Sequence, residues 1–282
     1  MNSIKKMMLS GALGCLISGM AYADGSSPQP VKPYWQDIQV VAVNKEKPRS
    51  SFMSYADRET ALTSRFEKSP YYSLLNGTWK FFFVDSYKDL PQNITDPSVN
   101  TSSWDDITVP GNWEVQGHGV AIYTNHGYEF KPKNPHPPLL PEANPVGVYR
   151  RDIEIPANWD NRDIYLHIGG AKSGLYVYLN GKEVGYSEDS KNPAEFLINK
   201  YLQPGKNVLT LKIFRWSTGS YLECQDFWRM SGIERDVFLW SQPKANIQDF
   251  RVVSTLDDTY TNGIFKLAVD LKNHTQETKN LN

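Results

Sequence analysis

Cysteine is almost missing from this chain. Two among 282 residues, Cys15 and Cys224, exclude a disulfide scaffold and a cysteine-rich zinc module. Charge of one sign is missing too. Thirty basic against 31 acidic side chains give a formal net charge of −1. No basic surplus is left to neutralise phosphates, so nucleic acid is not an expected partner. The sequence holds no Gly-x-Ser-x-Gly elbow, no phosphate-binding glycine loop and no His-Glu-x-x-His motif. Its apolar run over residues 7–20 is shorter than the roughly 20 residues that span a bilayer. What the chain does hold is aromatic: 12 Phe, 16 Tyr and 8 Trp in a 40% hydrophobic composition, which excludes wholesale disorder. Its length suits one or two domains at roughly 150 residues each, enough to bury a real core.

The N-terminus reads as an export signal. Lys5 and Lys6 precede the apolar run, and Ala21-Tyr22-Ala23 fits the small-x-small cleavage rule. The alternative, a buried core helix, suits a terminal run behind two lysines less well. Cys15 follows Ala12-Leu13-Gly14, a weak lipobox, so lipidation is not expected. A signal peptide over 1–23 predicts a periplasmic or secreted protein with no stable membrane anchor. Removing it takes away two lysines and leaves 259 residues at a net charge of −3. Cys224 would then be the lone cysteine, and no intramolecular disulfide could form.

Residues 24–48 are rich in Pro, Ser and Lys and predict an extended arm. Residues 49–75 show only weak helical periodicity and read as more arm or a short helix. From Trp79 the pattern becomes one of strands. Residues 79–84 are densely aromatic; Tyr149, Arg151, Ile153 and Ile155 alternate with polar neighbours, and Ile164, Leu166 and Ile168 recur at period two. Leu175, Val177 and Leu179 lead into Asn180-Gly181, the residues a type I′ hairpin turn requires, with Val184 and Tyr186 beyond. Leu209, Leu211 and Ile213 form another strand, and Val237 and Leu239 close the series. The connection over 111–145 carries Pro at 132, 135, 137, 138, 141 and 145 and cannot be a central strand or helix. Loops of that length are usually functional or disordered. Many short strands with Gly and Pro turns predict an all-β sandwich. After Pro243, residues 247–255 and 264–271 read as two strands that cannot bury a core alone, the start of a second domain.

Chemistry is harder to place. Glycoside hydrolysis needs two carboxylates about one sugar bond, ~5–5.5 Å apart for retention, and no pair stands in such a context. Glu188 and Asp189, neighbours at a strand end, should point to opposite faces. His118, His126 and His136 share the Pro-rich loop, but their irregular spacing favours solvated loop histidines over a metal set. The stretch from Glu223 to Gly232 gathers carboxylates, Phe227, Trp228 and Arg229 in a turn-like segment. It could ligate a hard cation or accept sugar hydroxyls. Spacing alone favours a plainer reading, in which Asp226 or Glu223 pairs with Arg229 or Arg235.

Several segments in order go further than spacing. They are Val-Pro-Gly-Asn-Trp-Glu at 109–114, Ile-Tyr-Thr-Asn at 122–125, Asn-Pro-Val-Gly-Val-Tyr-Arg-Arg at 144–151, Gly-Tyr-Ser-Glu-Asp-Ser at 185–190, Arg-Trp-Ser-Thr-Gly-Ser-Tyr-Leu-Glu at 215–223 and Asp-Phe-Trp-Arg-Met-Ser-Gly-Ile at 226–233. Together they resemble the N-terminal part of glycoside hydrolase family 2 β-galactosidases, from about Trp35 to the end. The resemblance implies a jelly-roll sugar-binding domain over 72–240 behind an arm over 24–71, and the first strands of an incomplete immunoglobulin-like domain over 244–282. It implies retaining hydrolysis of terminal β-galactosides by two glutamates in a C-terminal barrel that this chain does not contain, so the chain alone is expected to be inactive. Asn125 matches a residue that contacts galactosyl hydroxyls, and Asp226 matches a carboxylate that ligates sodium and contacts the sugar. Magnesium and a homo-oligomer belong to the complete enzyme by the same resemblance. Thr218 stands where relatives carry Asp, which puts an outer divalent-cation site in doubt. His126 stands where an apolar residue is common. The rival expectations are a free-standing carbohydrate-binding module and an inactive fragment of a broken gene.

Overall fold

Alternation such as that at Leu209, Leu211 and Ile213 becomes a strand because successive side chains leave opposite faces of the backbone, so one whole face can be buried. The computed structural model describes residues 32–130 and 136–278; the signal expected over 1–23 lies outside the described residues. Most strands join two antiparallel sheets. The larger runs, in spatial order, Ala42–Val43, Lys182–Ser187, Gly174–Leu179, Lys206–Phe214, Val146–Glu154, Gly77–Val84 and Asp105–Val109. The smaller runs Ala194–Leu197, Arg162–Ile168, Val237–Pro243 and Tyr72–Leu74. Between them lies one core: Trp79, Phe81, Tyr149, Val177 and Leu211 from the larger sheet meet Leu166, Ile168, Phe196, Val237 and Leu239 from the smaller. The expected all-β sandwich is what forms. Asn180 and Gly181 adopt φ of 53° and 77°, the two positive values a type I′ turn needs.

The outer faces are covered as well. Val146, Val148, Tyr176, Tyr186 and Phe214 pack under Trp35 of the arm and under Ile94 and Trp104. On the smaller sheet, Met53 covers Tyr165, Phe238 and Trp240. Burial on both faces is why residues 146–150 are buried without alternation. The arm is thereby tied down, with Ala42 paired to Ser187 and Val43 to Tyr186. Gly185 permits that approach, since a Cβ there would stand 2.3 Å from the Val43 carbonyl oxygen. The one α-helix among the described residues of the arm, Arg58–Leu62, starts where Asp57 accepts from the Thr60 amide.

Beyond Pro243, Ala245–Leu256 and Gly263–Asn273 form a separate antiparallel hairpin. It touches the rest through Asp249, which accepts from the Ser50 amide at 2.8 Å, through the ion pair of Lys272 with Glu46, and through a 2.6 Å hydrogen bond between His274 Nδ1 and Asp163 Oδ2. Its apolar side chains are exposed, Phe265 at 67% and Leu267 at 54%. Exposed apolar strands with open edges associate. Changing both residues at once, Phe265→Lys with Leu267→Thr, is expected to lower light scattering of concentrated protein and leave the melting temperature of the sandwich in place. Undiminished scattering would show that these strands do not drive association.

Candidate functional site

Two short strands inside the segments that sequence patterns leave irregular find each other. Ile122–Thr124 pairs with Phe227–Arg229 as a ribbon of its own, with Tyr123 opposite Trp228 and Thr124 opposite Phe227. Continuing that register by one residue sets Asn125 across from Asp226. Directly opposed residues share a face and neighbours along a strand do not. One face therefore carries Tyr123, Trp228, Asn125 and Asp226, all exposed, and the other carries Ile122, Thr124, Phe227 and the fully buried Arg229.

On the exposed face the Tyr123 hydroxyl donates to Asp226 Oδ1 at 2.7 Å. That hydrogen bond and the carboxylate charge push the Tyr123 pKa up. Asp226 Oδ2 keeps no partner among the described residues, so one oxygen is fixed and the other is free to bind. The Tyr123 and Trp228 rings lie 5.6 Å apart and offer an apolar surface beside it. Asn125 Oδ1 meets His126 Nδ1 at 2.7 Å, so His126 orients the amide.

The ion-pair reading of this stretch does not hold among the described residues. Asp226 is taken by Tyr123. The Glu223 carboxylate accepts from the Ser190 amide at 3.3 Å, and burial pushes its pKa up. Arg229 donates to the Glu223 backbone carbonyl at 2.8 Å and lies over the Phe227 ring. The three loop histidines are dispersed too. His118 is not the solvated side chain expected but packs on Phe81 at 4.8 Å; His126 serves Asn125, and His136 is exposed. Among the described residues no group of three or more His, Cys, Asp or Glu stands ready to hold a metal, and no helix is long and apolar enough to cross a membrane.

Thr218, where the resemblance puts an outer divalent-cation site in doubt, faces Glu188. Glu188 turns inward and Asp189 outward, as their adjacency demands; Asp189 pairs with Lys45 at 3.3 Å. Thr218 Oγ1 donates to Glu188 Oε1 at 2.5 Å and the Tyr186 hydroxyl donates to Oε2 at 2.8 Å. Burial pushes the Glu188 carboxyl above its usual range, and those hydroxyls pull the other way. A lone carboxyl with both oxygens engaged by hydroxyl groups does not suit a divalent cation. Asp226, exposed with one free oxygen, suits one ligand of a hard monovalent ion whose other ligands come from elsewhere.

Sequence reasoning missed Tyr123 as the group that orients Asp226. The available signal was the alternation of Tyr123 and Asn125, which places them on one face once that stretch is extended.

A jelly-roll sandwich that presents aromatic rings, an amide and a carboxylate on one exposed ribbon has the makings of a carbohydrate-contacting domain. Comparison with known proteins agrees. Residues 72–243 match the family described as glycosyl hydrolases family 2, sugar binding domain. The chain is 40% identical over 245 residues to a β-galactosidase of Priestia megaterium, across 86% of this chain and 24% of that protein. It is 36% identical over 243 residues to a β-galactosidase of Psychromonas ingrahamii, across 86% and 23%. Among solved structures, a β-glucuronidase of an uncultured Clostridium shares the fold with a TM-score of 0.52 at 23% identity, over 71% of this chain and 33% of that one. The chain belongs to glycosyl hydrolase family 2, through its sugar-binding domain. It spans about a quarter of the length of the curated relatives it matches.

Proposed function

We propose that this chain is the N-terminal portion of an exported β-galactosidase. In this reading the ribbon brings Asn125 and Asp226 to a terminal non-reducing β-D-galactoside, and the bond is cleaved by carboxylates in the longer protein. The observation that carries the reading is the shared exposed face on which the ribbon sets these two residues. The curated relatives, named as β-galactosidases, supply the sugar. The chain's own residues bind and orient. The Asn125 amide offers donors to sugar hydroxyls, Tyr123 holds Asp226 Oδ1, and Oδ2 remains to bind sodium or a hydroxyl. Sodium bound there would supply a fixed positive charge that orients a hydroxyl without proton transfer. Magnesium ligation falls to the longer protein, because Glu188 and Thr218 are committed to each other. Export rests on the Lys5-Lys6, apolar run and Ala21-Tyr22-Ala23 pattern.

Asp226→Asn in the longer enzyme tests the reading. The amide keeps the acceptor for Tyr123 and removes the charge. The loss of one charged hydrogen bond is worth ~1.5–3 kcal/mol, roughly one to two decades in kcat/KM if it acts in the transition state. Sodium activation should weaken in parallel and the melting temperature stay where it was. Unchanged sodium activation with a lowered melting temperature would show that Asp226 serves only the fold.

A further inference from the structure

A two-stranded ribbon is marginal by itself, so something must hold the one that carries Asn125 and Asp226. Arg215 lies beneath it, directly after the Lys206–Phe214 strand of the larger sheet, with its side chain 4% exposed. Its Nη2 donates to the Val120 carbonyl at 2.9 Å and to the Arg229 carbonyl at 3.2 Å. Val120 leads into the first ribbon strand and Arg229 ends the second. One nitrogen of one side chain therefore grips both strands, at the end of the ribbon away from Asn125 and Asp226.

The other end has its own tether. Four residues past Asn125, Glu129 Oε1 meets Lys172 Nζ at 3.3 Å, with both side chains almost fully buried. The two tethers share charge: Glu129 Oε2 lies 4.0 Å and Glu114 Oε1 3.7 Å from the Arg215 guanidinium. Neither oxygen has a hydrogen-bond partner among the described residues. Two buried carboxylates thus face Arg215 and Lys172, and in a water-poor interior such a set persists only when its charges balance. Arg215 cannot leave its place without stranding Glu114, and Glu129 would be left with Lys172 alone.

We propose that Arg215 is a positioning residue, seconded by the Glu129–Lys172 pair, that docks the ribbon on the sandwich and so sets where Asn125 and Asp226 stand. The proposal rests on the reading of those two residues as sugar contacts. A lysine at 215 keeps the positive charge, but its single Nζ cannot both hold the two carbonyls, as Nη2 does, and face Glu114, as Nη1 does.

Hydrogen exchange on the 282-residue chain tests it. In Arg215→Lys, amides over 120–130 and 223–231 are expected to exchange faster by at least about tenfold, the scale of one lost charged hydrogen bond. Peptides over 146–154 and 164–168 should keep their protection. In Glu129→Gln the faster exchange should be confined to 125–130. Unchanged ribbon exchange in folded Arg215→Lys, or a rise spread evenly over the sandwich, overturns the proposal. If Arg215→Lys does not fold, Glu129→Gln decides, and unaltered exchange over 125–130 then overturns it. In the longer enzyme, Arg215→Lys should also raise the galactoside KM several-fold. Lost ribbon protection with an unaltered KM would leave the anchor standing and remove the sugar role of Asn125 and Asp226.

Discussion

Arg49→Met is expected to destabilise the fold by about 3–5 kcal/mol, the range for removing one partner of a buried ion pair. Arg49 forms a fork with Glu195: Nε reaches Oε2 and Nη2 reaches Oε1, both at 3.0 Å. Both side chains are only 10% exposed. Glu195 Oε1 also meets His167 Nδ1 at 2.8 Å and accepts from Trp240 Nε1 at 3.1 Å. The guanidinium rests 4.2 Å above the Trp240 ring. Methionine keeps the apolar stem and leaves a buried carboxylate without its cation. The double change Arg49→Met with Glu195→Gln should recover much of the loss, because the amide carries no charge to strand. Burial by itself would raise the Glu195 pKa; the hydrogen bond from His167 and the charge and fork of Arg49 outweigh it and hold the carboxyl below its ordinary value. A depressed carboxyl stabilises the fold above the unfolded-state pKa, and that contribution disappears as pH falls through the lowered folded-state value. Urea unfolding at neutral pH should therefore show a large gap between wild type and Arg49→Met, and the gap should narrow in acid. Equal stabilities at neutral pH would mean that the pair contributes nothing to holding the arm on the smaller sheet.

Trp113→Ala is expected to cost about as much, roughly 3–5 kcal/mol, by a different route. Trp113 is fully buried and packs against Phe81 and Phe83, with ring centroids 6.2 Å and 5.6 Å away. Gly147 lies under it so closely that a Cβ there would come within 2.6 Å of the indole. A side chain so enclosed leaves a cavity that its neighbours cannot fill. For a unit of this size the loss corresponds to a fall in melting temperature of very roughly 6–20 °C. Thermal unfolding followed by circular dichroism measures it. A fall of only a degree or two would mean that the pocket collapses around the alanine. Trp113 precedes Glu114, whose amide-bonded carboxylate faces Arg215, so the cavity should also loosen the ribbon. Exchange over 120–130 should accelerate in this variant together with the sandwich, which distinguishes it from Arg215→Lys.

Sequence and structure divide the rest between them along a physical line. The strands over 162–168 and 206–214, the later part of 146–154 and the turn at Asn180-Gly181 were legible in the sequence because their causes are local. Alternation, β-branching and positive φ act among near neighbours. The family is legible for a related reason, since its motifs are short runs read in order. Local causes do not extend to the ribbon. Ile122–Thr124 has residues that suit a strand, but three residues among glycines and prolines are too few to show a period. It becomes a strand only by pairing with Phe227–Arg229, and the bond that orients Asp226 joins residues 103 apart. The plainer sequence reading, in which Asp226 or Glu223 pairs with Arg229 or Arg235, failed for Asp226 and Arg229 because strand residues three apart face opposite ways: Arg229 turns under the ribbon while Asp226 stands out from it. The sequence by itself determined the all-β sandwich, its clearest hairpin and the family. The tertiary structure alone decided which carboxylates meet hydroxyls, which meet cations and which remain open. Those pairings are made across long loops, whose closure is held by the packing of the whole domain.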